Sequence, residues 1–102
     1  LATAGDEELG EWTVRMPGRH NALNALATIA VARQVGVSLD GARQALAEFG
    51  GIHRRFEICG EVSSVMSVTD YAHHPSEIRA TIGAAREAYP ERRIVAVFQP
   101  HR

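Results

Sequence analysis

The chain has 102 residues, of which 45% are hydrophobic and 23% charged, and its net charge at pH 7 is −1 with histidine neutral. This near-neutral balance argues against a nucleic-acid partner and against binding to a charged membrane surface. All eleven basic residues are arginine, so the segment holds neither a Schiff-base lysine nor a phosphate-loop lysine. A single cysteine, Cys59, excludes an internal disulfide, and we expect it to be a small buried residue in a reducing cytoplasm.

The first sixteen residues predict a loop followed by a strand. Residues 1–10 are small, acidic and without periodicity, which is typical of a loop or a mobile end. Trp12, Val14 and Met16 then alternate with polar residues, which predicts a short strand over residues 11–16 with one buried face.

Two helices are predicted next. The first covers residues 20–35, is rich in Ala and Leu, and ends at Gly36 as its C-terminal cap. The second begins after Ser38, a good N-cap, and is stopped by Gly50 and Gly51. The residues expected to face the core are Leu23, Leu26, Ala27, Ala30 and Val31 on the first helix and Leu39, Ala42, Ala45, Leu46 and Phe49 on the second.

The second half of the chain has a different pattern. Residues 54–59 and 61–69 predict a β-hairpin or meander separated at Gly60. A helix is expected from Pro75 to about Tyr89, because proline suits the first helical position. The apolar run Ile94–Phe98 then predicts a strand buried in a parallel sheet, and it is far too short to span a membrane.

A strand, a helix and a further strand form the first half of a doubly wound α/β unit. This half differs from the helical half that precedes it, so we predict an α/β chain made of two partial domains, with a boundary between Gly50 and Phe56. An unpaired strand of this kind exposes an edge, so the fragment could associate with a copy of itself.

Two polar sites in the first part of the chain and at its middle could bind a ligand. His20 and Asn24 share one face of the first helix, and an amide suits the edge of a purine base, although two satisfied surface residues are an equally good interpretation. Asn21 could simply cap that helix. Arg54 and Arg55 could clamp a phosphate or a carboxylate, or form a solvated rim.

Two more polar sites follow the predicted strands. Asp70 could accept hydroxyl donors such as those of a ribose, while His73 and His74 could orient a substrate, or the cluster could only form a turn and a helix cap. Adjacent histidines project in different directions, so a shared metal is not expected. Gln99 to Arg102 could hold an anionic group. No nucleophile–base pair and no glycine-rich phosphate loop is present in the sequence.

Taken in order, four motifs resemble those of the Mur ligase family, and the resemblance runs from about residue 11 to the end of the chain. The motifs are Gly18 to Ala27, Arg54 to Glu57, Asp70 to Pro75, and Phe98 to Arg102. The resemblance implies that residues 1–53 are the C-terminal, helical part of a central ATP-binding domain. It implies that residues 54–102 are the first β-α-β part of a Rossmann-like C-terminal domain.

The resemblance also implies an activity. The last two motifs are most similar to those of the family member that joins L-alanine to UDP-N-acetylmuramate through an acyl-phosphate, using ATP and Mg²⁺, in cytoplasmic peptidoglycan synthesis. The alternative within the family is the muropeptide-recycling ligase. The family's phosphate loop, magnesium-binding carboxylate and catalytic lysine have no counterpart here, so we expect the isolated chain to be inactive.

Residue roles follow from the same resemblance, position by position. Asn24, with His20 nearby, would contact the adenine, Arg55 the phosphates, and Asp70 the ribose. Tyr71, His73 and Arg102 would lie near the alanine and the acyl-phosphate. Outside this family, the alternatives are a nucleotide-binding module without chemistry and an inert fragment whose polar residues only cap and solubilise.

Overall fold

The computed structural model describes residues 1–100. The described elements are β1 (Ala2–Ala4), β2 (Glu7–Gly10), α1 (Arg19–Gln34), α2 (Leu39–Glu48), β3 (Glu57–Val62), β4 (Val65–Thr69) and α3 (Pro75–Ala88). They fall into two compact units that divide between Gly50 and Gly51, with Pro17–Arg19 grouped in the second.

The start of the chain is a β-hairpin, so the predicted loop over residues 1–10 is wrong. β1 and β2 pair antiparallel across a turn at Gly5 and Asp6. Gly5 has φ +61°, a value that glycine adopts without a steric penalty. Gly5 therefore lies in a tight turn, and Gly10 is the last residue of β2.

Residues 11–16 do not form the predicted strand, because no other described strand pairs with them. The alternation of burial is nevertheless present: Trp12, Val14 and Met16 are half-buried, whereas Thr13 and Arg15 are exposed. The Nε1–H of Trp12 donates to the carbonyl of Leu9 at 3.1 Å. The side chains of residues 11–16 therefore alternate in burial as the pattern predicts, although their backbone pairs with no described strand.

Both predicted helices of the first unit are confirmed. Ser38 caps α2 by accepting from the N–H of Gly41 at 3.1 Å, and Gly36 at φ +80° closes α1. The N–H of Val37 reaches back to the carbonyl of Ala32 at 2.9 Å, as expected for such a cap.

The core of the first unit is small and does not use the predicted face of α1. Its buried residues are Ala2, Leu9 and Ile29, with Trp12, Leu39 and Leu46 packed against them. On α1 the buried stripe is Asn21, Ala25 and Ile29, while Leu23, Leu26 and Val31 are exposed. A helix with apolar residues on every side has no unique inner face by sequence, so the neighbouring elements decide which stripe is buried.

The second unit begins with the hairpin of β3 and β4. They pair antiparallel from Glu57 opposite Thr69 to Val62 opposite Val65. The turn lies at Ser63 and Ser64, both at positive φ, as a two-residue hairpin turn requires. Gly60, expected to separate the strands, lies instead inside β3 at a bulge.

Helix α3 confirms the prediction, with His74 as N-cap and Pro75 at the first turn. The strand predicted over Ile94–Phe98 does not form: the segment has no regular structure and all of its residues are exposed, Val97 to 96%. A strand needs a hydrogen-bonding neighbour, and within residues 1–100 the sheets are the two antiparallel pairs alone. The parallel pair that the run predicted is therefore wrong for this chain.

Cys59 is exposed rather than buried, which corrects the prediction of a core residue. It lies on β3, where its neighbours Ile58 and Gly60 are also exposed. The chain as a whole is nevertheless a mixed α/β structure, as predicted. Within the described residues, no helix has the length and apolar character needed to cross a membrane.

Candidate functional site

Asp70 ties the two ends of the β3–β4 hairpin together. Its Oδ2 accepts from the N–H of Phe56 at 2.9 Å and its Oδ1 accepts from the N–H of Ala72 at 2.7 Å. The carbonyl of Arg54 accepts from the N–H of Tyr71 at 2.8 Å on the same side. The Asp70 carboxylate, which was predicted to bind a ribose, therefore also stabilises the hairpin. Only the lone pairs that the N–H groups of Phe56 and Ala72 leave unused are available to a ligand.

The turn before β3 is held in an unusual backbone conformation. Arg54 and Phe56 have φ of +57° and +48°, in the left-handed region that non-glycine residues avoid at a cost of roughly 1–2 kcal/mol. Hydrogen bonds from both of their N–H groups, to Glu57 Oε2 at 2.8 Å and to Asp70, offset that cost. Phe56 is buried at 8% exposure, which anchors the turn.

Glu57 is the acceptor at the centre of this turn. Besides the N–H of Arg54, its Oε2 lies 2.9 Å from Nδ1 of His53. The backbone N–H of Arg54 and then the His53 side chain lower the pKa of the Glu57 carboxyl below its ordinary value. It is therefore ionised at neutral pH.

Glu77 plays a similar part at the start of α3. Its Oε2 accepts from the N–H groups of His73 and His74, each at 3.1 Å. The same oxygen lies 3.6 Å from Nδ1 of His73, and Oε1 lies 3.9 Å from Nη1 of Arg55. The N–H of His74, and secondly that of His73, lowers the pKa of the Glu77 carboxyl.

Four of the predicted site residues therefore lie in one neighbourhood of the second unit. Tyr71 and His73 contact edge to face, with ring centroids 5.3 Å apart. Arg54 lies over the Tyr71 ring, with Cζ 4.6 Å from its centroid. Arg55, Asp70, Tyr71 and His73 are linked to each other through Glu77 and the turn around Phe56.

The remaining predicted residues lie elsewhere. His20 and Asn24 are in α1, in the first unit, where His20 is half-buried and Asn24 exposed. Asn21 does not cap α1, because the helix begins two residues earlier at Arg19, and Asn21 is buried. Arg102 lies outside the described residues.

A cavity of about 500 Å³ opens beside this neighbourhood in the second unit. Asp70, Tyr71 and His73 line it, together with residues of α3 and of the irregular segment 93–99. Three arginines, Arg54, Arg92 and Arg93, are among the residues that line it. Such a surface suits an anionic ligand with an apolar part.

A magnesium site is not formed by the residues that the structure describes. No group of three or more His, Cys, Asp or Glu residues among them is arranged to hold a metal. The carboxylates present, such as Glu57 and Glu77, are already occupied by backbone N–H groups and by histidine.

Sequence reasoning missed the central role of Glu77. The signal was available, because Glu77 stands three residues after His74, at the position where a carboxylate reaches back to the first N–H groups of a helix. The tie between Asp70 and Phe56, by contrast, spans fourteen residues and left no local pattern to detect.

The chain is similar to known proteins over nearly its whole length. Residues 54–102 match the family described as Mur ligase, glutamate ligase domain. The UDP-N-acetylmuramate–L-alanine ligase of Sorangium cellulosum is 58% identical over 94% of this chain, and that of Myxococcus xanthus is 54% identical over 95%. The chain spans about a fifth of the length of these relatives, 21% and 20% respectively.

Solved structures give the same result. A crystal structure of the UDP-N-acetylmuramate–alanine ligase from Thermotoga maritima matches 98% of this chain with a TM-score of 0.91 at 40% identity, over 24% of its own chain. A murein peptide ligase from Psychrobacter arcticus matches 80% of this chain with a TM-score of 0.57 at 41% identity, over 17% of its own chain. Sequence and fold therefore agree: the chain is similar to Mur ligases over nearly its whole length, and residues 54–102 match the glutamate ligase domain of that family.

Proposed function

We propose that the chain is a segment of an ATP-dependent ligase that joins L-alanine to UDP-N-acetylmuramate in peptidoglycan synthesis, in the cytoplasm. The observation that carries the proposal is the 58% identity to a ligase of that name across 94% of the chain. The fold agrees, since the alanine ligase of Thermotoga maritima matches with a TM-score of 0.91 and the murein peptide ligase only with 0.57. The muropeptide-recycling reading is therefore less well supported.

The domain assignment is part of this proposal. Residues 1–53 would be the end of a central ATP-binding domain and residues 54–102 the start of a C-terminal domain. The family match begins at residue 54, and the compact units divide between Gly50 and Gly51. Both observations support a boundary near these residues.

The proposed nucleotide contacts are assigned residue by residue. Asn24, with His20 beside it, would bind the adenine, and the exposed amide of Asn24 supports this role. Arg55 would bind the phosphates, and its side chain is 44% exposed although its guanidinium faces Glu77. Asp70 would bind the ribose through the lone pairs that the N–H groups of Phe56 and Ala72 leave unused.

The proposed amino-acid contacts lie at the cavity of the second unit. Tyr71 and His73 would face L-alanine and the reacting carboxylate of UDP-N-acetylmuramate, and both residues line that cavity. Arg102 would bind the carboxylate of L-alanine as a guanidinium fork. ATP supplies the phosphoryl group that activates the muramate carboxylate, and Mg²⁺ would be held by residues outside this segment.

The direct test uses the full-length protein that contains this chain. With ATP, Mg²⁺, UDP-N-acetylmuramate and L-alanine, we expect stoichiometric release of phosphate and formation of the alanine adduct. Replacing L-alanine by a muropeptide tests the recycling alternative, and a higher kcat/KM for the muropeptide would overturn the assignment. The isolated 102-residue chain should give no product, since it lacks any lysine and any phosphate loop.

Two variants separate the proposed subsites. Arg102→Ala should raise the KM for L-alanine more than that for ATP, and an equal loss would contradict a carboxylate role. Asn24→Ala should raise the KM for ATP with little effect on L-alanine. A nucleotide-binding module without chemistry would bind ATP in a calorimetric titration but form no product, and an inert fragment would do neither.

A further inference from the structure

The Glu77 carboxylate contacts two side chains that the proposed function assigns to different ligands. Oε2 lies 3.6 Å from Nδ1 of His73, and Oε1 lies 3.9 Å from Nη1 of Arg55. The first of these residues is proposed to face the amino acid and the second the phosphates. The Glu77 carboxylate thus contacts one residue proposed to bind the amino acid and one proposed to bind the phosphates.

Helix capping explains only part of this arrangement. Accepting from the N–H of His74 stabilises the start of α3, as a carboxylate at the third helical position commonly does. The N–H of His73, the imidazole of His73 and the guanidinium of Arg55 lie outside the helix, and none of them needs a helix cap.

We propose that Glu77 is a positioning residue, which holds the imidazole of His73 and the guanidinium of Arg55 in the orientation that their ligands require. The inference rests on the proposed function, since that function supplies the ligands. Glu77 itself contacts neither ligand in this proposal and acts only through the two side chains.

The hydrogen bonds of the Glu77 carboxylate hold it in one orientation, as a positioning residue requires. Two N–H groups fix Oε2, so the carboxylate cannot swing away with its partners. Nδ1 of His73 faces both this oxygen and the carbonyl of Tyr71 at 3.1 Å, and two acceptors on one ring nitrogen favour a proton there.

The experiment compares Glu77→Gln with Glu57→Gln in the full-length ligase. Glutamine keeps an oxygen for the backbone N–H groups but removes the charge that faces the imidazole and the guanidinium. Glu57 is a matched control, because its side chain is equally exposed at 36%, accepts a backbone N–H and pairs with a histidine, His53, that has no proposed ligand role.

We expect Glu77→Gln to raise the KM for L-alanine and for ATP about three- to tenfold with kcat changed less than about twofold, the pattern of lost binding rather than lost folding. Glu57→Gln should leave both KM values within about twofold of the parent. Equal effects of the two substitutions would overturn the proposal and identify Glu77 as a helix cap alone.

Double substitutions show whether Glu77 acts through its partners. In a His73→Ala background, Glu77→Gln should no longer change the KM for L-alanine, and in an Arg55→Ala background it should no longer change that for ATP. Undiminished effects in both backgrounds would contradict the positioning role. If the unsubstituted full-length protein does not ligate L-alanine, the proposed function is wrong. If it does, but Glu77→Gln changes neither KM value, only the positioning role of Glu77 is wrong.

Discussion

The carboxylate of Asp70 accepts a hydrogen bond from the backbone N–H of Phe56 at 2.9 Å, across fourteen residues of the chain. Its other oxygen accepts from the N–H of Ala72 at 2.7 Å. The Asp70 side chain therefore joins the residue before β3 to the segment after β4. That segment contains the proposed ligand-binding residues Tyr71 and His73. Any substitution at Asp70 has a structural effect beside its effect on a ligand.

Asp70→Ala should lower the free energy of unfolding by about 1–3 kcal/mol, because two backbone N–H groups lose their acceptor. Asp70→Asn keeps one acceptor oxygen and should cost less. Both variants should raise the KM for ATP if the carboxylate also binds the ribose. Denaturant titration and steady-state kinetics on the same samples separate the two roles, and an unchanged KM for ATP in folded Asp70→Asn would remove the ribose assignment.

Acid should destabilise the second unit through Glu57 and Glu77. Backbone N–H groups, those of Arg54 and His74 respectively, lower the pKa of each carboxyl below its ordinary 4.5. Their stabilising contribution is complete above that ordinary value and is lost as the pH falls through the lowered folded-state pKa. Denaturation midpoints measured across this range should fall with pH, and less steeply in Glu57→Gln and Glu77→Gln. Parallel profiles for parent and variants would contradict the prediction.

Ser38→Ala should destabilise the first unit by about 1 kcal/mol, because the N–H of Gly41 loses the Oγ that it reaches at 3.1 Å. Ser38→Asp restores an acceptor at the same position and should recover most of that loss. The check is the midpoint of thermal unfolding followed by far-ultraviolet circular dichroism. Equal midpoints for the alanine and aspartate variants would show that the cap contributes nothing.

Arg43→Ala should loosen the segment around Trp12. The Arg43 guanidinium lies 4.9 Å from the Trp12 ring centroid and donates to the carbonyls of Leu9 and Glu11 at 3.1 and 3.3 Å. We expect a loss of about 1 kcal/mol in stability and a red-shifted Trp12 emission, since the ring loses its cover. Arg79→Ala, at an exposed position of α3, is the control and should leave both quantities unchanged.

The helices were predictable because their signals are local. Ser38 and Gly36 mark the gap between α1 and α2, and Pro75 marks the start of α3, each through the conformation of its own backbone. The buried face of α1 was not predictable. Its apolar residues surround the helix, and only the packing of Ile29 against Ala2 and Leu9 selects the buried stripe.

The strands were harder to predict than the helices, because a strand forms only when a second strand lies beside it and hydrogen-bonds to it. Within residues 1–100, Ile94–Phe98 has the composition of a buried strand but pairs with no other strand. In the same part of the chain, Trp12 to Met16 has the alternation of a strand but forms no ladder. Conversely, the short segment Ala2–Ala4 forms a strand because the turn at Gly5 and Asp6 brings it beside β2, with which it pairs.

The sequence by itself determined the order of helices and turns, the Mur ligase resemblance and the motifs that bear the proposed site. Only the tertiary structure decided that Arg55, Asp70, Tyr71 and His73 lie in one neighbourhood, and that Glu77 contacts both Arg55 and His73 there. The physical reason is range: capping and turn preferences act within about four residues, whereas these contacts join groups brought together by a hairpin and a helix start.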